Sequence, residues 1–304
     1  MERKFLDYFR IFTKGMAMGL ADLVPGVSGG TIAFIAGIYE ELISSINEIK
    51  FSLIRDFNHK GFKYVWYKIN APFLASLLFG ICVSILLFSN FISWLLIEHP
   101  ILIWSFFFGL ILSSILYITK KIKKWNLLTV LLLIIGTLIA YKITQLETFN
   151  STDSYLYIFI SGVVAICAMI LPGISGAFIL VLMGSYSSII QAINNKEILK
   201  IISFGFGGIV GLLTFSKFLK FLFKNFKNET LSVLTGFMIG ALVKIWPWKK
   251  LVKFEVNQYK KELLYEKCVS PFSFEGNPKL IQALIFMLLG VLSIFIFSYI
   301  SKKR

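Results

Sequence analysis

Between Asp22 and Thr31 the chain reads DLVPGVSGGT, placing an acid, a proline, two hydroxyl residues and three glycines inside an otherwise apolar stretch. Proline and glycine break a helix, so the run reads as an interruption followed by a new helix start. The first backbone N–H groups of a helix have no intrahelical partner, and the helix dipole adds roughly half a positive charge there. Glycine lets a ligand approach the backbone, and Ser28 and Thr31 add hydroxyls. Pro25, Gly26, Ser28, Gly29, Gly30 and Thr31 therefore read as a seat for an anion. Pro172, Gly173, Ser175 and Gly176 repeat the pattern and supply a second seat. Phosphate fits as the anion, because a monoester carries about −1.5 to −2 charge.

One such seat contributes about 0.3–1 kcal/mol when exposed and up to about 2 kcal/mol when partly buried, so a phosphate inside a membrane needs more. Lys217 and Lys244, in or near the ends of apolar segments, are candidates to supply it. Snorkelling to an interface explains either lysine equally well. Asp22 has Met169 as its repeat partner, so the acid is unique to the first copy. An intramembrane acid marks a functional site by default: it carries a proton, binds a cation, or caps the following helix. Packing is the plain alternative for the glycines; it suits Gly37 and Gly184 better than a duplicated Pro-Gly-x-Ser-Gly.

These residues need elements to hold them, and composition says which. The 304 residues are 57% hydrophobic, with only 15% charged, and mean hydropathy is +0.79. The apolar residues lie in runs near the roughly 20 needed to cross a bilayer, such as Leu127–Tyr141 and Leu280–Ile300. Alternating ten-residue segments of a membrane barrel are missing. The expectation is an all-α polytopic membrane protein. Net charge is +15, but the basic residues flank apolar runs, which points to topology and lipid headgroups and not to nucleic acid. Cys82, Cys167 and Cys268 share no metal or disulfide spacing, and no cofactor is implied. No small-residue cleavage site follows a clean apolar run, so the N-terminal segment is expected to be retained.

The seats belong to an internal repeat. Val24–Ile46 aligns without gaps on Leu171–Ile193, with nine of 23 positions identical. Phe79–Phe91 then pairs with Phe206–Phe218, and Gly109 with Gly236. The offset falls from 147 to 127 because a polar, basic stretch near 51–70 reads as a loop insertion in the first copy. Two halves follow, 1–142 and 143–304. Each is expected to hold a re-entrant hairpin, about 11–46 and 155–193, since a helix break at membrane depth is tolerated only where buried or lining a cavity. Spans are expected at about 71–97, 101–119 and 126–141, then 201–223, 231–247 and 280–300. Three crossings per half invert the second half, the arrangement of many transporters, and aim both seats at one midplane cavity.

With both termini inside, the inside segments 1–14, 47–70, 120–125, 217–230 and 301–304 hold four, five, four, four and three basic residues, 20 of the 31 Lys and Arg. That agrees with the positive-inside rule. Lys244–Lys279, with eight lysines, falls outside and strains the scheme; the side of 248–279 stays open.

Gly15–Ile43 resembles the signature of bacterial PopT-type polyprenyl-phosphate transporters, and LPGISGAFILVLMGSY and Thr230–Trp248 are similar to further stretches of that family. The family pattern often has Leu-Arg-Lys before Trp-Pro-Trp, where this chain has Leu242-Val243-Lys244, and often Arg where Lys217 stands. At 217 lysine keeps the charge but lacks the bidentate fork, whereas Val243 stands at the other Arg position, so any role needing that Arg falls on Lys244 or is lost. The resemblance implies a flippase of the cytoplasmic (inner) membrane that returns undecaprenyl phosphate from the outer to the inner leaflet. Its partners are then that lipid and the membrane. Two rivals remain: a small-anion or ion transporter or channel, which would use the same broken helices, and an undecaprenyl pyrophosphate phosphatase. The phosphatase needs an Arg in the motif, a Glu-rich partner motif and acid–base groups that this sequence lacks. The reading from sequence is therefore a transporter and not an enzyme, binding phosphate through both seats, Lys217 and Lys244, with Asp22 coupling transport to protons.

Overall fold

The computed structural model describes residues 3–24, 26–50, 52–146, 154–255 and 262–302; Pro25 lies outside them. Helices α1 (Phe5–Asp22), α2 (Gly29–Ile35) and α3 (Tyr39–Asn47) build the first broken segment, and α8 (Tyr155–Ile170), α9 (Gly176–Leu182) and α10 (Ser185–Asn194) the second. After the first come α4 (Ser52–Lys68), α5 (Ala71–Glu98), α6 (Pro100–Thr119) and α7 (Leu127–Thr144); after the second come α11 (Ile198–Asn225), α12 (Lys227–Ala241) and α13 (Leu280–Lys302). Between α12 and α13 two antiparallel strands, β1 (Lys249–Glu255) and β2 (Glu262–Cys268), pair from Lys249↔Cys268 to Glu255↔Glu262. This small hairpin is the one departure from the all-α expectation among the described residues.

Local chemistry sets the element ends. Pro100 opens α6 in its first turn, where its missing N–H costs nothing. Asn126 caps α7 by accepting from Thr129 N at 2.8 Å, and Ser154 caps α8 through Tyr157 N. The indole N–H of Trp246 donates to Val269 O at 2.9 Å and that of Trp248 to Pro278 O at 3.0 Å. These bonds fasten the β-hairpin segment to the end of α12.

Among the described residues four helices, α5, α6, α7 and α11, are long and apolar enough to cross a bilayer, or five spans if α9 and α10, bent by 105°, count as one. Apolar side chains such as Leu86, Leu87, Leu127 and Phe295 stay exposed, as lipid-facing residues do in a protein that spans a membrane. The chain is a multi-pass membrane protein.

The two copies pack alike. Helix α1 runs along α5 and α8 along α11, while α6 pairs with α13 and α7 with α12. Small residues set these approaches. Gly15 meets Leu77 and Gly80 meets Phe12; at the repeat offsets, Gly162 meets Phe204 and Gly207 meets Phe159. Likewise Gly109 meets Met287 and Gly290 meets Phe106, while Gly236 meets Leu133 and Gly136 meets Val233. Each glycine lies on the other helix's backbone without room for a methyl group. The last two helices of each copy thus pair across to the other copy.

Of the segment 51–70, expected as a loop, Ser52–Lys68 is helical. Gly61, at φ 78° and ψ 171°, interrupts α4. In a straight helix Asp56 and Lys68 would stand about 18 Å apart, yet Lys68 Nζ lies 2.5 Å from Asp56 Oδ2. The chain therefore folds back at Gly61 into a two-armed hairpin. The hydrogen bond from Lys68 holds the Asp56 carboxyl below its usual range and, in return, raises the Lys68 ammonium. The Asp56 contribution is lost only as pH falls through its lowered value, and the Lys68 contribution only as pH rises through its raised one. The tie therefore persists across neutral pH.

Candidate functional site

Both breaks use the same backbone. Gly26 and Gly173 sit at φ +86° and +87°, and Gly37 and Gly184 at +71° and +67°, a region costly for any residue with a Cβ. Ser28 and Ser175 are the N-caps of α2 and α9.

The first helix start is filled by its own chain. Asp22 Oδ1 accepts from Gly29 N at 2.7 Å, and Ser28 Oγ accepts from Gly30 N at 3.1 Å. A Cβ on Gly29 would stand 2.5 Å from Asp22 Oδ2, so glycine is what admits the carboxylate. Asp22 is thus a helix cap, the third of the roles open to it from sequence. An acid here is also the favourable sign for the dipole.

The first break then reaches into the second. The last carbonyls of α8 have no intrahelical donors. Ser28 Oγ donates to Met169 O at 3.0 Å and Tyr39 OH to Ile170 O at 3.1 Å. In return Gly173 N donates to Thr31 Oγ1 at 3.0 Å. Gly30 is pressed on the same strip, where a Cβ would stand 2.6 Å from Ile170 O. Ser28 and Thr31 are therefore spent on joining the two copies, and every residue of α2 is buried.

The second helix start is arranged differently. Met169 replaces the acid, and Ser175 Oγ accepts only a long 3.4 Å bond from Phe178 N. Beside it lies a small cleft lined by Gly26, Gly173, Ser175, Phe178, Lys244 and, from the end of α7, Ala140, Ile143 and Thr144. Lys244 Nζ stands 4.9 Å from the centre of the Phe178 ring, within cation–π range, and its stem covers Gly26. Pro172 and Gly176 are buried at the rim of the same turn. Lys217 does not line this cleft; it is exposed on α11. Among the described residues no group of three or more His, Cys, Asp and Glu is placed to share a metal ion.

The copies differ most in how tightly they close. Tyr39 is 2% exposed, whereas its repeat partner Tyr186 is 44% exposed. Helix α3 packs on α11, and α10 makes no comparable contact with α5. Ion pairs reinforce the closed side: Glu40 Oε1 with Lys227 Nζ at 2.6 Å and Glu48 Oε1 with Lys220 Nζ at 3.3 Å. At the repeat offsets the equivalent residues are Ser187, Pro100, Asn195 and Ser93, so the second copy has no such pairs.

Residues 18–263 match the model of the undecaprenyl phosphate translocase-like family. The chain belongs to that family. It is 45% identical over 296 residues to a polyprenyl-phosphate transporter of Vibrio cholerae serotype O1, covering 96% of each chain. It is 34% identical over 254 residues to a polyprenyl-phosphate transporter of Staphylococcus aureus, covering 77% of this chain and 84% of that one. No solved structure matches.

Sequence reasoning gave no role to four residues of this translocase-like site. Tyr39 had a signal, since it is one of the nine repeated identities. Phe178, at the position of Thr31, and Thr144 at the end of α7 had none, because their place depends on helix packing. Lys14 donates to Ala36 O at 2.7 Å, closing the end of α2, as Tyr157 OH does to Met183 O at 2.6 Å in the second copy. The repeat keeps that bond while changing the residue that makes it.

Proposed function

We propose that this chain carries undecaprenyl phosphate, or a related polyprenyl phosphate, from the outer to the inner leaflet of the bacterial cytoplasmic membrane. The lipid carrier is thereby returned for cell-envelope synthesis. Family membership gives the substrate class. The observation that carries the site is the cleft at which Gly26 of one copy meets Gly173, Ser175 and Lys244 of the other.

In this reading the two copies are inverted repeats, each a re-entrant hairpin plus three spans, with both termini cytoplasmic. The cleft then lies toward the outside, at the ends of α7 and α12. The Glu40–Lys227 and Glu48–Lys220 pairs lie at the inner face. In this reading the described conformation is the outward-facing member of a pair of states. The phosphate enters beside Phe178, takes the Ser175 hydroxyl and the first turn of α9, and reaches the Lys244 ammonium. A charge-assisted hydrogen bond contributes about 1.5–3 kcal/mol, which the helix end alone does not supply. The polyprenyl tail stays in the surrounding lipid. Rocking of the copies opens the inner ion pairs and releases the phosphate there. Asp22 holds the first seat as a built-in anion, and its protonation couples this motion to protons. No step makes or breaks a covalent bond.

The test is binding of undecaprenyl phosphate to purified protein. Ser175→Ala and Lys244→Gln should each weaken it, and inorganic phosphate should compete poorly. Equal competition by inorganic phosphate would instead identify a small-anion transporter, and phosphate release from the pyrophosphate lipid would identify an enzyme.

A further inference from the structure

The α4 hairpin is the part of the chain that the repeat does not account for and that the transport cleft does not use. Among the described residues its main packing is on α5, and none of its residues is buried. Yet it is not a plain solvated arm. Ile54 is 67% exposed, Phe62 62% and Tyr67 64%. Phe57, Tyr64 and Trp66 are exposed as well, and the Phe62 and Trp66 rings lie 5.4 Å apart. Interleaved with them in α4 are Arg55, Lys60, Lys63 and Lys68, against a single acid, Asp56. Lys60 and Lys68 rest on the Tyr64 ring at 4.5 and 5.8 Å, so base and aromatic occupy one surface.

The hairpin is also fixed in height. Just beyond it, Asn70 Nδ2 donates to Glu41 Oε1 at 2.8 Å, and Arg3 pairs with the same carboxylate at 2.6 Å. Asn70 then leads directly into the spanning helix α5. The C-terminal foot of the hairpin therefore stands at the start of a spanning helix, and the Asp56–Lys68 pair holds the other arm beside it. Aromatic side chains belong in that layer, and basic ones are drawn to it when its lipids are anionic. Exposed rings on water would be costly, whereas rings in the headgroup layer are not.

We propose that the α4 hairpin lies on the membrane surface and docks on anionic phospholipid headgroups, with Ile54, Phe57, Phe62 and Trp66 entering the interface and Arg55 and Lys63 contacting the charge. Because only the first copy carries it, it grips one leaflet and gives the nearly symmetric molecule a fixed side.

The test uses the full chain, one copy per nanodisc, in phosphatidylcholine alone or in an equal mixture with phosphatidylglycerol, and reads hydrogen exchange across residues 50–70. Exchange should be slower in the anionic discs, and high salt should remove the difference. Each Arg or Lys near an anionic surface strengthens docking about five-fold, so Arg55→Gln with Lys63→Gln should weaken it about 25-fold. That variant should lose the lipid dependence while α1 and α5 exchange as before. Equal exchange in both discs and in detergent would overturn the proposal, placing the hairpin in water. Equal slowing in both discs, lost in detergent, would overturn it too, since the headgroup charge would then play no part.

Discussion

At the scale of single residues, Asp22 and Lys244 separate two kinds of charge in a membrane protein. Asp22 already has its partner, the first amide of α2, so its removal is first a loss of a cap. Asp22→Ala should destabilise by about 0.5–2 kcal/mol, read as a lower unfolding midpoint in detergent. Asp22→Asn retains an acceptor oxygen and should stay within a few tenths of a kcal/mol of the parent, yet lose the pH dependence of transport. If Asn leaves that dependence intact, the coupling role is gone. Lys244 instead faces the cleft. Lys244→Gln should weaken polyprenyl-phosphate binding about 10- to 100-fold, while Lys217→Gln, outside the cleft, should leave it near the parent value. Equal losses at both lysines would move the site toward α11. The sequence made both lysines and both seats visible by residue type alone. It did not show that Ser28 and Thr31 are consumed in joining the copies, because their partners, Met169 O and Gly173 N, lie more than 140 residues away.

At the scale of elements, glycine positions do more than permit breaks. Gly80 and Gly207 seat α5 and α11 on the backbones of α1 and α8. Alanine at either should force the helices apart and cost about 1–3 kcal/mol, measured as thermal unfolding of the purified protein. The same change at Gly205, which meets nothing, should be neutral or slightly stabilising. This packing was half legible in sequence. The pairs Gly80/Gly207 and Gly109/Gly236 were visible as repeated letters, but their packing partners, within each copy for the first pair and across the copies for the second, needed the fold. The α4 hairpin was not legible as structure, because Gly61 divides it and each arm is too short for a helical period to stand out. The strands β1 and β2 were hidden by their lysines, which read as a charged connection.

For the molecule as a whole, the proposed inverted repeat, two nearly equal halves held in unequal conformations, predicts a second state in which the inequality is exchanged. On the closed side Glu40–Lys227 and Glu48–Lys220 are largely exposed pairs, each contributing about 0–1 kcal/mol. Together they bias the equilibrium by no more than about 30-fold, a gap that substrate binding can overcome. Glu40→Gln with Glu48→Gln should therefore shift the population toward the inward-open state without unfolding the protein. The repeat offsets say what that state looks like: Asn195, just after α10, should approach Ser93 of α5 as Glu48 leaves Lys220, and Tyr186 should become buried as Tyr39 becomes exposed. Spin labels at 195 and 93 report the first approach, and the double Glu→Gln background should enlarge the short-distance population. If the 195–93 distance stays fixed while the ion pairs are abolished, the asymmetry between the copies is permanent architecture, and exchange of their roles is not how the lipid crosses.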